Sequence, residues 1–300
     1  MAKQLNANNF ISKVLLGDIR HIADILPNNY IQSIVTSPPY FGHRKYSGDD
    51  ANQNEIGREG NLDDYISNLV TCFEAIKPKL KDSGLLWLNL GDTYRNKELL
   101  GVPWRVAFAL KDKGWILRSE IIWKKTNAMP SPVKDRPTTD HESIFLFSKT
   151  PDYYYDADAI REPHVTFSEN SKMRGGRNHF GERNSTPEQG KNAGNQNLHN
   201  GRWDQAFHPK GRNKRTVWEI PLGKFRDAHF AVYPEKLVET CIVASTKIND
   251  VVFDPFTGSG TTGVIALKNN RKFIGCELVK TYQQMAQKRI DETTCQLTLF

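Results

Sequence analysis

Short apolar runs of strand length alternate with segments of helical periodicity at both ends of this chain, and that alternation limits the fold more than any other feature. Residues 13–16, 33–36, 85–90, 251–254 and 272–276 read as short apolar strands. Residues 118–123 and 143–147 read as a paired set. Between them lie helical segments. Over residues 61–80, Leu62, Tyr65, Ile66, Leu69, Cys72, Phe73, Ile76 and Leu80 recur at helical spacing. Asn61 can cap that helix, and Asp63 and Asp64 suit the positive end of its dipole. Residues 103–113 predict a second helix, with Pro103 at its start and Gly114 after its end. Residues 234–246, 261–268 and 281–292 predict three more. Strands alternating with helices imply an α/β fold with a mainly parallel sheet covered on both faces.

From about residue 164 to 226 the pattern dissolves into Asn, Gly, Arg, Gln and Ser, with isolated aromatics at Phe167, Phe180, Trp203 and Phe207. A long stretch of that composition is a loop or a small irregular domain. It also carries the charge. Residues 161–226 hold 13 Lys+Arg against 6 Asp+Glu, an excess equal to the whole formal net charge of +7. The rest of the chain is neutral. A basic excess confined to one segment points to a polyanion met by one part of the molecule.

Composition narrows the setting. Hydrophobic content is 38% and charged content 25%, and no apolar run reaches the roughly 18 residues a membrane helix needs. Residues 1–10 are polar and lack a signal-peptide core. Four cysteines, Cys72, Cys241, Cys276 and Cys295, lie far apart with no CxxC pair. Neither a metal site nor a disulfide framework is expected, and the expected compartment is reducing and cytoplasmic.

Two short motifs carry chemistry. Asp254, Pro255, Phe256, Thr257, Gly258, Ser259, Gly260 and Thr261 link a strand to a helix. Gly258 and Gly260 let the backbone turn tightly and approach a ligand. That is where an open α/β sheet binds nucleotide-like molecules. No Lys follows the glycines, which disfavours a phosphate-cradling loop. Glu277 ends the next strand, 19 residues after Gly258. A carboxylate there can accept both hydroxyl protons of a ribose.

The second motif is Ser37, Pro38, Pro39 and Tyr40, after the strand ending at Thr36. Two prolines forbid further ladder pairing and fix the backbone. A serine hydroxyl, an unpaired carbonyl and an aromatic ring are then held rigidly together. Ser37 Oγ and the Pro38 carbonyl can each accept an N–H bond, and Tyr40 can stack on a flat base. Alone, the run 36–40 also reads as a proline turn; the glycine turn and the basic segment argue against that.

Together these residues resemble the beta class of DNA amino-methyltransferases, which carry an (S/D)PP(Y/W/F) motif first, a target-recognition region in the middle and an FxGxG cofactor motif last. The resemblance covers nearly all of the chain outside the insert. It implies S-adenosyl-L-methionine as cofactor, double-stranded DNA as partner, and a Rossmann-like seven-stranded sheet with one antiparallel edge strand. Residues 1–160 would form the catalytic half, 161–226 the target-recognition insert, 227–295 the cofactor half and 296–300 a tail. Further segments fit the pattern. Leu16-Gly17-Asp18 looks like the segment whose aspartate approaches the cofactor adenine. Leu86-Trp87-Leu88-Asn89 looks like the strand after the catalytic helix. Trp123-Lys124, Asn127, Met129-Pro130, Asp135-Arg136 and His141-Glu142 look like the flank of the target-base pocket. His229-Phe230 through Leu237 looks like the element that wraps the methionine part.

The resemblance implies base flipping, because a stacked base hides its amino group, and in-line attack of the base nitrogen on the sulfonium methyl. Ser37 and Pro38 would bend the nitrogen toward tetrahedral geometry and stabilise its growing positive charge. Ser at the first motif position points to cytosine N4; adenine N6 is the alternative. No cysteine lies near the prolines to attack a cytosine ring carbon. A DNA-binding module with an inactive methyltransferase fold is the alternative from another class. A protein-glutamine or RNA methylase is disfavoured, because the motif order is reversed and the first residue is Ser37. In the insert, Arg174, Arg177, Arg183, Arg202, Lys210, Arg212, Lys214 and Arg215 are candidates for phosphate or guanine contacts. The final residues, Gln296-Leu297-Thr298-Leu299-Phe300, resemble the QLxLF peptide that docks on the DNA sliding clamp. A tail packed on the protein itself is the alternative.

Overall fold

The structure is a computed structural model that describes residues 7–42, 55–163, 210–223 and 234–298. The chain divides into two compact units, Met1–Asp156 with Thr216–Phe300, and Ala157–Arg215.

The larger unit is built on one sheet. Its strands are β1 (Lys13–Leu16), β2 (Ile31–Thr36), β3 (Leu80–Leu90), β6 (Ile116–Lys124), β7 (His141–Ser148), β8 (Val217–Glu219), β9 (Val251–Asp254) and β10 (Lys272–Glu277), with a small hairpin of β4 (Tyr94–Arg95) and β5 (Glu98–Leu99) beside it. The order across the sheet is β1-β10-β9-β2-β3-β7-β6-β8. The helices are α1 (Ile19–Ile25), α2 (Leu62–Ile76), α3 (Val102–Asp112), α4 (Glu235–Ser245), α5 (Thr261–Lys268) and α6 (Lys280–Thr298). Every residue of β2 and β9 is buried, as expected of strands covered on both faces.

Two expectations about the sheet are corrected. It has eight described strands rather than seven, the eighth being the three-residue β8 paired parallel to β6. The antiparallel strand is β7, and it lies inside the sheet between β3 and β6 rather than at the edge. The insert boundary also moves. Residues 217–219, placed in the insert by composition, extend the main sheet, and the second unit spans Ala157–Arg215 rather than 161–226.

Local chemistry explains the element limits. Asn61 Oδ1 accepts the Asp64 N–H at 2.8 Å and caps α2. That helix stops at Ile76 rather than running to Leu80, because Pro78 has no N–H to continue the ladder. Leu80 instead opens β3. At its Ser83-Gly84 break the register shifts, with Ile31 opposite Leu80 and Ser33 opposite Leu85. The outer edge of β1 is covered by side chains of α6. Gln287 Oε1 accepts the Val14 N–H at 2.8 Å, and Gln283 Nε2 donates to the Val14 carbonyl at 2.8 Å.

In the smaller unit, Glu162 and Arg212 exchange two backbone bonds of 2.9 Å. Gly211 makes that approach possible. Its φ is +108°, and a Cβ there would sit 2.2 Å from the Glu162 carbonyl oxygen.

The chain reverses its direction of travel across the sheet between β9 and β2. These strands are adjacent and parallel, with Ser33 opposite Val252 and Ile34 opposite Phe253. Loops leaving their carboxyl ends diverge and open a crevice. A buried carboxylate ties the two ends together. Asp254 Oδ1 accepts from Thr36 Oγ1 at 2.7 Å and from the Phe256 N–H at 3.1 Å, and Oδ2 accepts from Thr262 Oγ1 at 2.6 Å. Asp254→Ala leaves two hydroxyls and an N–H without this acceptor in the core. The expected loss is about 3 kcal/mol of unfolding free energy, measured by urea denaturation.

Candidate active site

The serine–diproline corner leaves β2 at the reversal point. The last ladder pair is Thr36 with Leu88, and the prolines end it. Two contacts fix the corner. Tyr65 of α2 donates its hydroxyl to the Pro39 carbonyl at 3.0 Å. The Tyr40 ring lies against Gly91, where a Cβ would fall 2.6 Å from Tyr40 Cε2.

A polar network then crosses four neighbouring strands. Ser37 follows β2, Asn89 is on β3, Glu142 on β7, and Lys125 follows β6. Ser37 Oγ lies 3.0 Å from Tyr40 Oη, and Tyr40 donates to Glu142 Oε2 at 2.7 Å. Lys125 Nζ pairs with Glu142 Oε1 at 2.6 Å. Asn89 Nδ2 donates to Tyr40 Oη and Glu142 Oε2 at 2.8 Å each and approaches Ser37 Oγ at 3.3 Å. Asn89 is 3% exposed, and its Oδ1 has no partner among the described residues. Burial, with the Glu142 charge beside it, pushes the Tyr40 phenol well above its ordinary value.

The glycine corner leaves β9. Gly258 has φ +52° and Gly260 φ +84°, a region that favours glycine. A Cβ on Gly260 would approach Ala286 Cα of α6 at 3.1 Å. Arg289 of α6 donates to the Ser259 carbonyl, and Thr257 Oγ1 donates to the Asp254 carbonyl at 2.9 Å. At the end of β10, Glu277 Oε2 accepts the Gly258 N–H at 2.8 Å and Oε1 the Val279 N–H at 2.9 Å. Burial raises the pKa of this carboxyl, against the opposing pull of those N–H bonds. The Leu278 N–H acts on this carboxylate as well, which leaves it part of its acceptor capacity. Asp18 caps α1 by accepting the Arg20 N–H at 2.9 Å and pairs with the Arg20 guanidinium. Burial works to raise its pKa, but the bonds from Arg20 outweigh it and hold the carboxyl below its ordinary value.

A cavity of about 500 Å³ joins the two corners. Ser37, Pro38, Pro39 and Tyr40 line one part, and Asp18, Phe256, Gly258, Ser259, Thr261 and Glu277 another. Asn89, Gly91, Lys125 and Glu142 line it as well. Two expected cofactor residues do not. Asp254 is 1% exposed and both its oxygens are committed to the tie described above, so it shapes the turn from behind. Gly260 supplies the turn into α5.

The insert candidates divide. Lys210, Arg212, Lys214 and Arg215 lie in the smaller unit and are ion-paired there. Arg212, Lys214 and Arg215 reach Glu162 at 3.3, 3.7 and 3.1 Å, and Lys210 reaches Asp158 at 3.6 Å. Burial disfavours the Glu162 charge, yet Arg215 and Lys214 hold its pKa below the ordinary value. Arg174, Arg177, Arg183, Arg202, His229 and Phe230 lie outside the described residues. Gln296, Leu297 and Thr298 form the last turn of α6, and Leu299 and Phe300 lie outside the described residues.

Sequence reasoning missed the network around Glu142. Asn89 and Glu142 fell in segments flagged by resemblance, but with no bond between them. The legible signal was Asn89, the one polar residue in the run 85–90. Lys125 carried no signal, because its pairing depends on the register of β6 against β7.

A family model described as DNA methylase (N6_N4_Mtase) matches residues 31–288. The type II methyltransferase M.SmaI of Serratia marcescens is 36% identical, over 95% of this chain and 93% of that protein. M.Cfr9I of Citrobacter freundii is 37% identical, over 91% of this chain and 86% of its own. Among solved structures, the PvuII DNA methyltransferase (cytosine-N4-specific) shares the fold with a TM-score of 0.66 at 19% identity, covering 97% of this chain and 94% of that one. The chain therefore belongs to the N6/N4 DNA methylase family.

Proposed function

We propose that this DNA methylase transfers the methyl group of S-adenosyl-L-methionine to the N4 amino group of cytosine in double-stranded DNA. One observation carries the reading: the serine–diproline corner and the double-glycine corner, far apart in sequence, line one cavity. The residues present fit this cofactor. Glu277 offers two carboxylate oxygens at the end of β10, and the glycine turn leaves the adjoining backbone open to close approach. When bound, the cofactor supplies an electrophilic sulfonium methyl.

The chain's own residues do the rest. Glu277 accepts the ribose hydroxyl protons, and Phe256 and Thr261 wall the cofactor part of the cavity. Ser37 Oγ accepts one hydrogen of the target amino group and the Pro38 carbonyl accepts the other. No described donor takes the Pro38 carbonyl in advance. The two acceptors turn the nitrogen lone pair out of the ring and stabilise the charge that grows there. Tyr40, wedged against Gly91, walls the base. The serine at position 37 and the shared fold of a cytosine-N4-specific enzyme support cytosine over adenine. Type II methyltransferases among the relatives support a role in a restriction–modification system. The basic insert holds DNA through its phosphates, and the QLxLF-like tail recruits the enzyme to the sliding clamp.

Four outcomes are expected. Labelled cofactor transfers its methyl to duplex DNA, and base mapping finds N4-methylcytosine. N6-methyladenine would overturn the base, and no incorporation would overturn the function. Gly91→Ala pushes the Tyr40 ring aside and lowers the single-turnover rate by about 100-fold, with cofactor affinity unchanged by calorimetry. Four phosphate contacts from the insert make DNA affinity fall by roughly 100-fold between about 50 and 200 mM salt, and a flat titration would remove the insert from DNA binding. Deleting residues 296–300 abolishes retention on immobilised clamp and leaves methylation of short duplexes intact.

A further inference from the structure

The network that ends on Ser37 has one consistent placement of its protons. An ionised carboxylate only accepts hydrogen bonds. Glu142 forms an ion pair with Lys125, whose Nζ holds Oε1 at 2.6 Å, and both side chains are largely buried. Glu142 Oε2 receives the Tyr40 hydroxyl at 2.7 Å and Asn89 Nδ2 at 2.8 Å. The Asn89 amide cannot be turned round, since its oxygen would then face the carboxylate. Tyr40 has one proton and it is committed to Glu142. In the 3.0 Å contact between Ser37 Oγ and Tyr40 Oη, Ser37 is therefore the donor. Asn89 Nδ2, a donor, also approaches Ser37 Oγ. With its proton turned toward Tyr40, Ser37 offers the cavity a lone pair.

We infer that Glu142 is a positioning residue that sets the polarity of Ser37. By claiming the Tyr40 proton it makes the serine an acceptor, and so selects a target base that presents an amino group over one that presents a carbonyl. The inference rests on Ser37 meeting the target amino group, as proposed above. It assigns substrate discrimination to a residue that does not itself touch the base.

Glu142→Gln tests it with almost no change of shape. The new amide can donate to Tyr40 Oη. The phenol proton is then released toward Ser37, and the serine proton toward the cavity. The measurement is the affinity of the whole protein, with S-adenosylhomocysteine present, for duplexes carrying cytosine or uracil at the mapped target position. If mapping finds adenine, the pair is adenine and hypoxanthine. Comparing the ratio of the two affinities between wild type and variant cancels the easier flipping of a mismatched base. The ratio is expected to shift toward the carbonyl base by about tenfold. Single-turnover methylation falls by about 100-fold, and cofactor affinity stays within about twofold. Glu142→Asp, which keeps the acceptor, restores the amino preference. Tyr40→Phe frees the serine proton by another route and lowers the preference too. An unchanged ratio in Glu142→Gln, or in Tyr40→Phe should the first variant not fold, overturns the inference. A wild-type protein that methylates no DNA overturns the functional reading instead.

Discussion

The structure turns on the buried Asp254 carboxylate. It gathers the Thr36 hydroxyl from the end of β2, the Thr262 hydroxyl from α5 and the Phe256 N–H from the glycine turn. Parallel pairing brings β2 and β9 side by side, but pairing alone does not set how the loops leave them. A buried carboxylate that accepts from three donors does. The serine–diproline corner and the double-glycine corner are thereby held in one frame. Methyl transfer needs donor and acceptor placed closely, so a common anchor for the two corners serves that activity.

Around that anchor the site separates into two electrostatic regions. Around the double-glycine corner, backbone N–H groups meet carboxylates: Gly258 and Val279 on Glu277, and Arg20 on Asp18. At the serine–diproline corner, Lys125 pairs with Glu142, and hydrogen bonds run from Glu142 through Tyr40 and Asn89 to Ser37. The antiparallel β7 matters here. Running opposite to its neighbours, it brings its beginning, with Glu142, to the edge of the sheet where β2 and β3 end. A parallel strand in that place would bring its last residues there instead.

The smaller unit is built on a different balance. Three cations, Arg212, Lys214 and Arg215, converge on Glu162, which holds them together. A pre-gathered cluster loses less side-chain freedom on meeting phosphate than dispersed cations do.

Much of this was legible in the residues themselves. Strand and helix periodicity, the Asn61 cap, Gly258 and Gly260, and the paired prolines depend on neighbours a few positions away, so a linear reading finds them. Read together, the two motifs pointed to a DNA amino-methyltransferase, and the chain belongs to that family. What the sequence left open is set by contacts between residues far apart along the chain. Asp254 reads as a ligand residue at a strand end, and only the packing of β2 against β9 shows that both its oxygens face inward. Lys125 and Glu142 are ordinary surface types until the register of β6 on β7 buries them together beside Asn89. Local propensity acts over one turn of helix or a few residues of strand, whereas the polarity of Ser37 depends on a carboxylate about a hundred positions away, brought near by the sheet alone.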